Sequence, residues 1–121
     1  MSKTVLVVDD SPTMRRMVGD TLRGAGYAVL EGVNGEDALR RLTGQTVHLV
    51  ITDFNMPVMG GMALVGRLRA MPAFRFTPIL VLTTEAGDDR KNEGRAAGAT
   101  GWMVKPFDPD RLVQVVRRLT P

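Results

Sequence analysis

The sequence predicts an α/β domain, an open, doubly wound sheet of five parallel strands with five helices on its two faces. Two observations carry this. Five short apolar runs, at 4–8, 27–30, 47–52, 78–83 and 101–105, alternate with segments whose apolar residues recur at helical spacing. The first, third and fourth runs are almost continuous in Val, Leu and Ile, as strands covered on both faces read. At 121 residues with 44% hydrophobic residues, the chain has the size and apolar content for one well-formed core.

Each helix has its own signals. After the first run, Ser11-Pro12 supplies a cap and a first-turn proline, and Met14, Met17, Val18, Thr21, Leu22 and Ala25 form the apolar stripe. Asn34 before Gly-Glu-Asp resembles a capping box, Ala38, Leu39 and Leu42 follow, and Gly44 marks the stop. Met62, Val65 and Leu68 predict the third helix. Residues 86–99, polar and carrying Gly94 and Gly98, predict a fourth with a weak apolar stripe. Asp108-Pro109 starts the fifth, with Leu112, Val115, Val116 and Leu119 inward.

Composition excludes several functions. The absence of cysteine removes disulfides, thiol nucleophiles and thiolate metal sites together. No run of about 18 apolar residues is present, and the first apolar run is too short for a signal peptide, so a cytoplasmic protein with no membrane association is expected. The net charge of +3 and pI near 10.0 suggest nucleic acid until the arginines are located. They are scattered singly and in pairs among only 5% aromatic residues, which reads as a solvated surface and predicts no nucleic-acid partner.

Ligands of such sheets bind at the carboxyl ends of the strands. Asp9-Asp10 follow the first run, Asp53 the third, Thr83-Thr84 close the fourth, and Lys105-Pro106 close the fifth. Taken singly, each reads as a turn former or a solvated charge. Together they crowd three carboxylates onto one edge, and two unit charges about 4 Å apart repel by about 4 kcal/mol at an effective dielectric of about 20. Lys105 balances one of the three charges, and a divalent cation matches the remainder. Donors that are all oxygen select a hard ion, Mg²⁺ or Mn²⁺, which keeps waters and takes substrate phosphate. Phosphoryl chemistry is the expectation.

Here the sequence resembles the receiver domains of two-component response regulators. The matching motifs are VLVVDD (5–10), ITDFNMPVMGG (51–61), LTTEA (82–86) and VKPF (104–107). Within the family, PTMRR after the acidic pair and NMP after the central aspartate resemble the stand-alone, CheY-like chemotaxis receivers. The resemblance spans nearly the whole chain and implies a single receiver domain over 1–121 with no output domain and a flavodoxin-like fold. It implies that Asp53 accepts the phosphoryl group from a histidine kinase or phosphotransfer domain. Asp10 ligates Mg²⁺ directly, Asp9 directly or through water, and the backbone carbonyl of Asn55 and Asp53 itself complete the set. Lys105, before a proline typically joined by a cis bond, neutralises the phosphoryl oxygens, and Thr83 supplies the switch hydroxyl. Asn55 and Glu85 occupy positions that modulate dephosphorylation, which implies a short-lived phosphoryl state. A monomer that catalyses only its own phosphorylation and dephosphorylation, signalling by protein contact at the flagellar motor switch, is implied. A phosphorelay intermediate or a phosphate sink is the alternative.

Two positions depart from the pattern. Trp102 stands where chemotaxis receivers carry a tyrosine that turns inward on activation; a rotamer switch, an exposed contact and simple packing are all open readings. Thr84 stands where the family often has alanine, which narrows access to Asp53. Other residues read as structural: His48 as a strand histidine, and Met14, Met17, Met62 and Met103 as core. Met56 and Met59 read as loop residues that pack or meet a partner. Arg15 and Arg16 read either as a solvated face or as a docking surface for a phosphodonor domain. A flavin carrier is disfavoured by the acidic first loop DDSPT, and no P-loop motif occurs. Aspartate-nucleophile phosphatases place both acids on one strand as D-x-D, unlike this chain. A pure binding module would need neither Mg²⁺ nor covalent phosphate.

Overall fold

The computed structural model describes residues 3–56, 58–84 and 98–121. Five parallel strands form one sheet: β1 (Thr4–Val8), β2 (Ala28–Gly32), β3 (Leu49–Asp53), β4 (Ile79–Thr83) and β5 (Gly101–Val104), in the order β2-β1-β3-β4-β5. Among the described residues the helices are α1 (Pro12–Gly24), α2 (Gly35–Leu42), α3 (Gly61–Arg69) and α4 (Pro109–Leu119), with a 3-10 turn at Pro72–Phe74. The helix expected over 86–99 falls almost wholly outside the described residues. From β1 the chain moves outward to β2 and then crosses back to β3 on the other side of β1. The carboxyl ends of β1 and β3 therefore flank the reversal of strand order, where open sheets of this class bind ligands.

The continuous apolar runs are explained by two cores. Val5, Val7, Leu49, Ile51, Leu80 and Leu82 face one layer with Val18, Leu22, Leu112 and Val116. Leu6, Val8, Val50, Ile79 and Val81 face the other with Ala38, Leu42, Leu64, Val65 and Leu68. Alternate strand residues point to opposite faces, and both faces here are helix-covered. The caps form as expected. Ser11 Oγ accepts from the Met14 N–H and Asn34 Oδ1 from the Asp37 N–H. Asp37 returns the bond by accepting from the Val33 N–H at 2.9 Å, and Asp108 caps α4 by accepting from the Asp110 N–H.

Several boundaries and core assignments differ from the sequence reading. β2 begins and ends later than the run at 27–30, because parallel pairing with β1 continues to Val8 opposite Gly32. β3 starts at Leu49, so His48 lies ahead of the strand, where its Nδ1 accepts from the Thr4 N–H at 3.0 Å. Asp53 itself is the last residue of β3, paired with Leu82. Met17 is 41% exposed rather than in the core, at the margin of the α1 stripe, whereas Met103 is buried and Met14 and Met62 pack at the edges of the two cores.

Candidate functional site

The strand ends deliver the acidic cluster. The ladder of β1 extends to Asp9, whose N–H donates to Gly32 O at 3.1 Å, and that of β4 carries Lys105, whose N–H donates to Thr83 O at 2.7 Å. Asp9 is buried, Asp53 and Lys105 are half-buried, and Asp10 is exposed. One carboxylate oxygen from each of Asp9, Asp10 and Asp53 lies within 4.8 Å of the others. Lys105 Nζ donates to Asp53 Oδ1 at 3.0 Å and to Asp9 Oδ2 at 3.3 Å, and the Lys105–Pro106 peptide is cis. Thr83, 1% exposed, closes β4 beside this group. The structure thus brings Asp9, Asp10, Asp53, Thr83 and Lys105 to one edge.

The three acids sit in different surroundings. Burial pushes the Asp53 carboxyl up and the charge of Asp9 adds to this; Lys105 and the Phe54 N–H oppose it without cancelling it. Lys105 is also held above its ordinary value: burial works against the ammonium, but the bond to Asp53 and the charges of both aspartates outweigh it. The two directions agree, because the ammonium faces two anions while Asp53 faces one cation and another anion. Asp9 has both oxygens engaged, Oδ1 accepting from the Ser11 N–H at 2.9 Å and Oδ2 from Lys105. Three clustered oxygen donors with one ammonium between two of them retain excess negative charge, and a hard dication fits that donor set.

Beneath the cluster, Gly61 permits a close approach that the sequence reading missed. A Cβ there would lie 2.4 Å from Asp53 O and 3.1 Å from Phe54 Cα, and the Gly61 N–H donates to Phe54 O at 3.0 Å. The paired glycines at 60–61 were the available signal. Arg15 was also misread. Its side chain is only 16% exposed, with Nη1 donating to Asp9 O at 2.8 Å and Nε to Glu31 Oε1 at 3.2 Å. It is therefore neither solvated nor presented for docking. Arg16, 82% exposed, is solvated.

Asn55 is exposed in the β3–α3 loop, and Thr84 is exposed just beyond β4. Glu85 lies outside the described residues. Met56 and Met59 pack against the core from their loop. Trp102 is not an exposed anchor: its ring packs on Phe54 with centroids 5.8 Å apart at 59°, and its Nε1 is buried with no hydrogen-bond partner among the described residues.

The response regulator receiver domain family matches residues 5–117. The chain is 43% identical over 110 residues to the chemotaxis protein CheY1 of Helicobacter pylori, covering 89% of each. It is also 43% identical to a chemotaxis protein CheY homolog of Campylobacter jejuni, covering 89% of this chain and 85% of that protein. The structure of Vibrio cholerae chemotaxis protein CheY4 superimposes with a TM-score of 0.95 at 44% identity, over 98% of this chain and 99% of that one.

Proposed function

Because the chain belongs to the response regulator receiver domain family, we propose that it is a phosphorylation-controlled switch, with Asp53 as phospho-acceptor and a histidine kinase or its phosphotransfer domain as donor. One observation carries the reading: a desolvated aspartate at a strand end, held by an ammonium at 3.0 Å beside two further carboxylates. Asp53 Oδ1 is engaged by Lys105 and by the Phe54 N–H at 3.0 Å. Oδ2 has no partner among the described residues and is the attacking atom. It forms the bond to phosphorus as the bond to the donor imidazole nitrogen breaks and the imidazole leaves.

Asp10, Asp53, the Asn55 carbonyl and Asp9 would hold Mg²⁺, Asp9 through water because both its oxygens are engaged. Bound there, the dication supplies charge against the phosphoryl oxygens. Lys105 stays between acceptor and phosphoryl group as the second source of positive charge, and Thr83 turns its hydroxyl to a phosphoryl oxygen once the group is in place. Asn55 and Glu85 govern access of water to the acyl phosphate. Output is by protein contact. The similarity to CheY proteins supports chemotaxis, at the flagellar motor switch, in the cytoplasm.

The test is treatment with a small acyl phosphate and MgCl₂ followed by intact mass measurement. One added phosphate is expected, absent in Asp53→Asn and in chelator. A flagellar switch protein should then be retained by the phosphorylated form only. Retention of neither form by the switch, with rapid transfer from a kinase, would identify a phosphate sink or relay instead.

A further inference from the structure

We infer that Arg15, buttressed by Glu31, is a positioning residue for the metal site: it fixes the backbone of Asp9 and so sets the affinity of the acidic pair for a dication. The geometry on which this rests lies outside the site's acids. Arg15 is on the first turns of α1, Asp9 at the end of β1 and Glu31 on edge strand β2. The guanidinium spans all three, donating to Asp9 O at 2.8 Å and to Glu31 Oε1 at 3.2 Å. Glu31 is itself held from the other side by Arg23 Nη2 at 2.9 Å, and Arg23 is tied to Asp20 at 3.2 Å.

A planar fork with fixed donor directions suits this task, and a lysine ammonium cannot reproduce both bonds from one place. The Asp9 N–H is already committed to Gly32 O and Asp9 Oδ1 to the Ser11 N–H. With its carbonyl claimed by Arg15, the peptide joining Asp9 to Asp10 is fixed on one side, and the exposed Asp10 carboxylate swings from a defined point. Groups that orient ligands in this way typically change metal affinity about ten- to a hundredfold when removed. The sign is diagnostic. Arg15 is a cation, so charge alone would make its removal favour dication binding, whereas positioning makes its removal weaken it.

This rests on the receiver reading only for the presence of a dication at the acidic cluster. The experiment is calorimetric titration of the full chain with MgCl₂, beside thermal melts in chelator, for wild type, Arg15→Met, Arg15→Lys, Glu31→Gln, Arg23→Met and the Arg15→Met/Glu31→Gln double variant. The expectation is about tenfold weaker binding in Arg15→Met, with no rescue by Arg15→Lys. Glu31→Gln gives a smaller loss that disappears in the Arg15→Met background, and Arg23→Met keeps wild-type affinity. Unchanged or tighter binding in Arg15→Met overturns the inference, as does an equal loss in Arg23→Met, which would mark general destabilisation. If Arg15→Met does not fold, Glu31→Gln decides, and wild-type affinity there overturns it. If the wild type takes up no Mg²⁺, the receiver reading fails and this falls with it; if only the variants are silent, the receiver reading stands.

Discussion

Replacing Lys105 with methionine isolates the charge balance of the site. Methionine keeps most of the unbranched stem and removes the ammonium that lies 3.0 Å from Asp53 and 3.3 Å from Asp9. The side chains of these three residues are 11%, 13% and 4% exposed. Each contact carries about 5 kcal/mol of Coulomb attraction at an effective dielectric of about 20, most of it offset by desolvation of the three groups. Removing one partner of a buried pair costs about 3 to 5 kcal/mol, because the stranded charge remains. Asp10 opens the cluster to solvent, so the lower figure, about 3 kcal/mol, applies. For a chain of 121 residues, about 1 kcal/mol moves the Tm by about 4 °C, so Lys105→Met melts about 12 °C lower in chelator. The cluster is then one charge more negative, so Mg²⁺ binds about tenfold more tightly, and saturating Mg²⁺ recovers about 1.4 kcal/mol, a little under half of the gap in Tm. Scanning calorimetry in chelator and in Mg²⁺, with a calorimetric titration, reads all three quantities. An unchanged Tm in chelator, or weaker Mg²⁺ binding, would refute the reasoning that the ammonium makes the cluster tolerable.

Three further outcomes are expected. Asp53 is protonated more readily in the folded chain than at its ordinary value of 3.8, so its contribution to stability is full below that value and lost as pH rises through the raised one. Asp53→Asn abolishes the loss: its Tm advantage in chelator grows as pH rises from about 4 to about 7, and a gap constant with pH would contradict this. Glu31, lowered chiefly by its hydrogen bond from Arg23, and Asp37, lowered chiefly by the Val33 N–H, have the opposite dependence. Their stability is lost as pH falls, and it cancels between the two proteins. Gly61→Ala drives a Cβ to 2.4 Å from Asp53 O, so it should lose more than about 3 kcal/mol and abolish mass gain at Asp53; a well-folded, phosphorylated variant would show that the loop has room. Val58 has φ of 70° and is 76% exposed, a left-handed conformation that a β-branched residue adopts at a cost. Val58→Gly should therefore gain about 1 kcal/mol in denaturant unfolding, and a loss of stability would place strain elsewhere.

The legible parts of this molecule are those written in local pattern. Val5 to Val8 announce a strand covered on both faces because no solvent-facing residue interrupts them, and Ser11-Pro12 and Asp108-Pro109 announce helix starts through backbone chemistry confined to a few residues. Asp53 was legible as the polar residue closing an apolar run. Arg15 was not, because its meaning depends on Asp9 and on Glu31, 16 residues away on the neighbouring strand. Sequence spacing carries no distance between a helix and an edge strand. Met17 failed at the end of a pattern, falling at the margin of the α1 stripe, whereas His48 is structural as expected but sits one residue ahead of β3, its N–H donating to Thr4 O at 2.8 Å. Gly61 was visible as one of a glycine pair, but only the fold shows which of the two lies against Asp53.

The same fold that crowds the acids also separates them by role. A parallel sheet places the carboxyl ends of all its strands on one edge, so Asp9, just past β1, and Asp53, the last residue of β3, arrive together whatever their charges. What differs is how their remaining valences are used. Asp9 has its N–H, carbonyl and both carboxylate oxygens engaged, which leaves it a fixed charge. Asp10, one residue on, has no polar partner among the described residues and is free to follow a ligand. Asp53 has one oxygen doubly engaged and one with no partner among the described residues, in surroundings that disfavour its charge. On the proposed reading, Asp53 becomes an acyl phosphate, a mixed anhydride that brings more negative charge to this edge, so positive charge from Lys105 and a dication has to meet the phosphoryl oxygens. The crowding of the acidic edge and the phosphoryl-accepting role proposed for it thus rest on one electrostatic property, a surplus of negative charge that calls for cations.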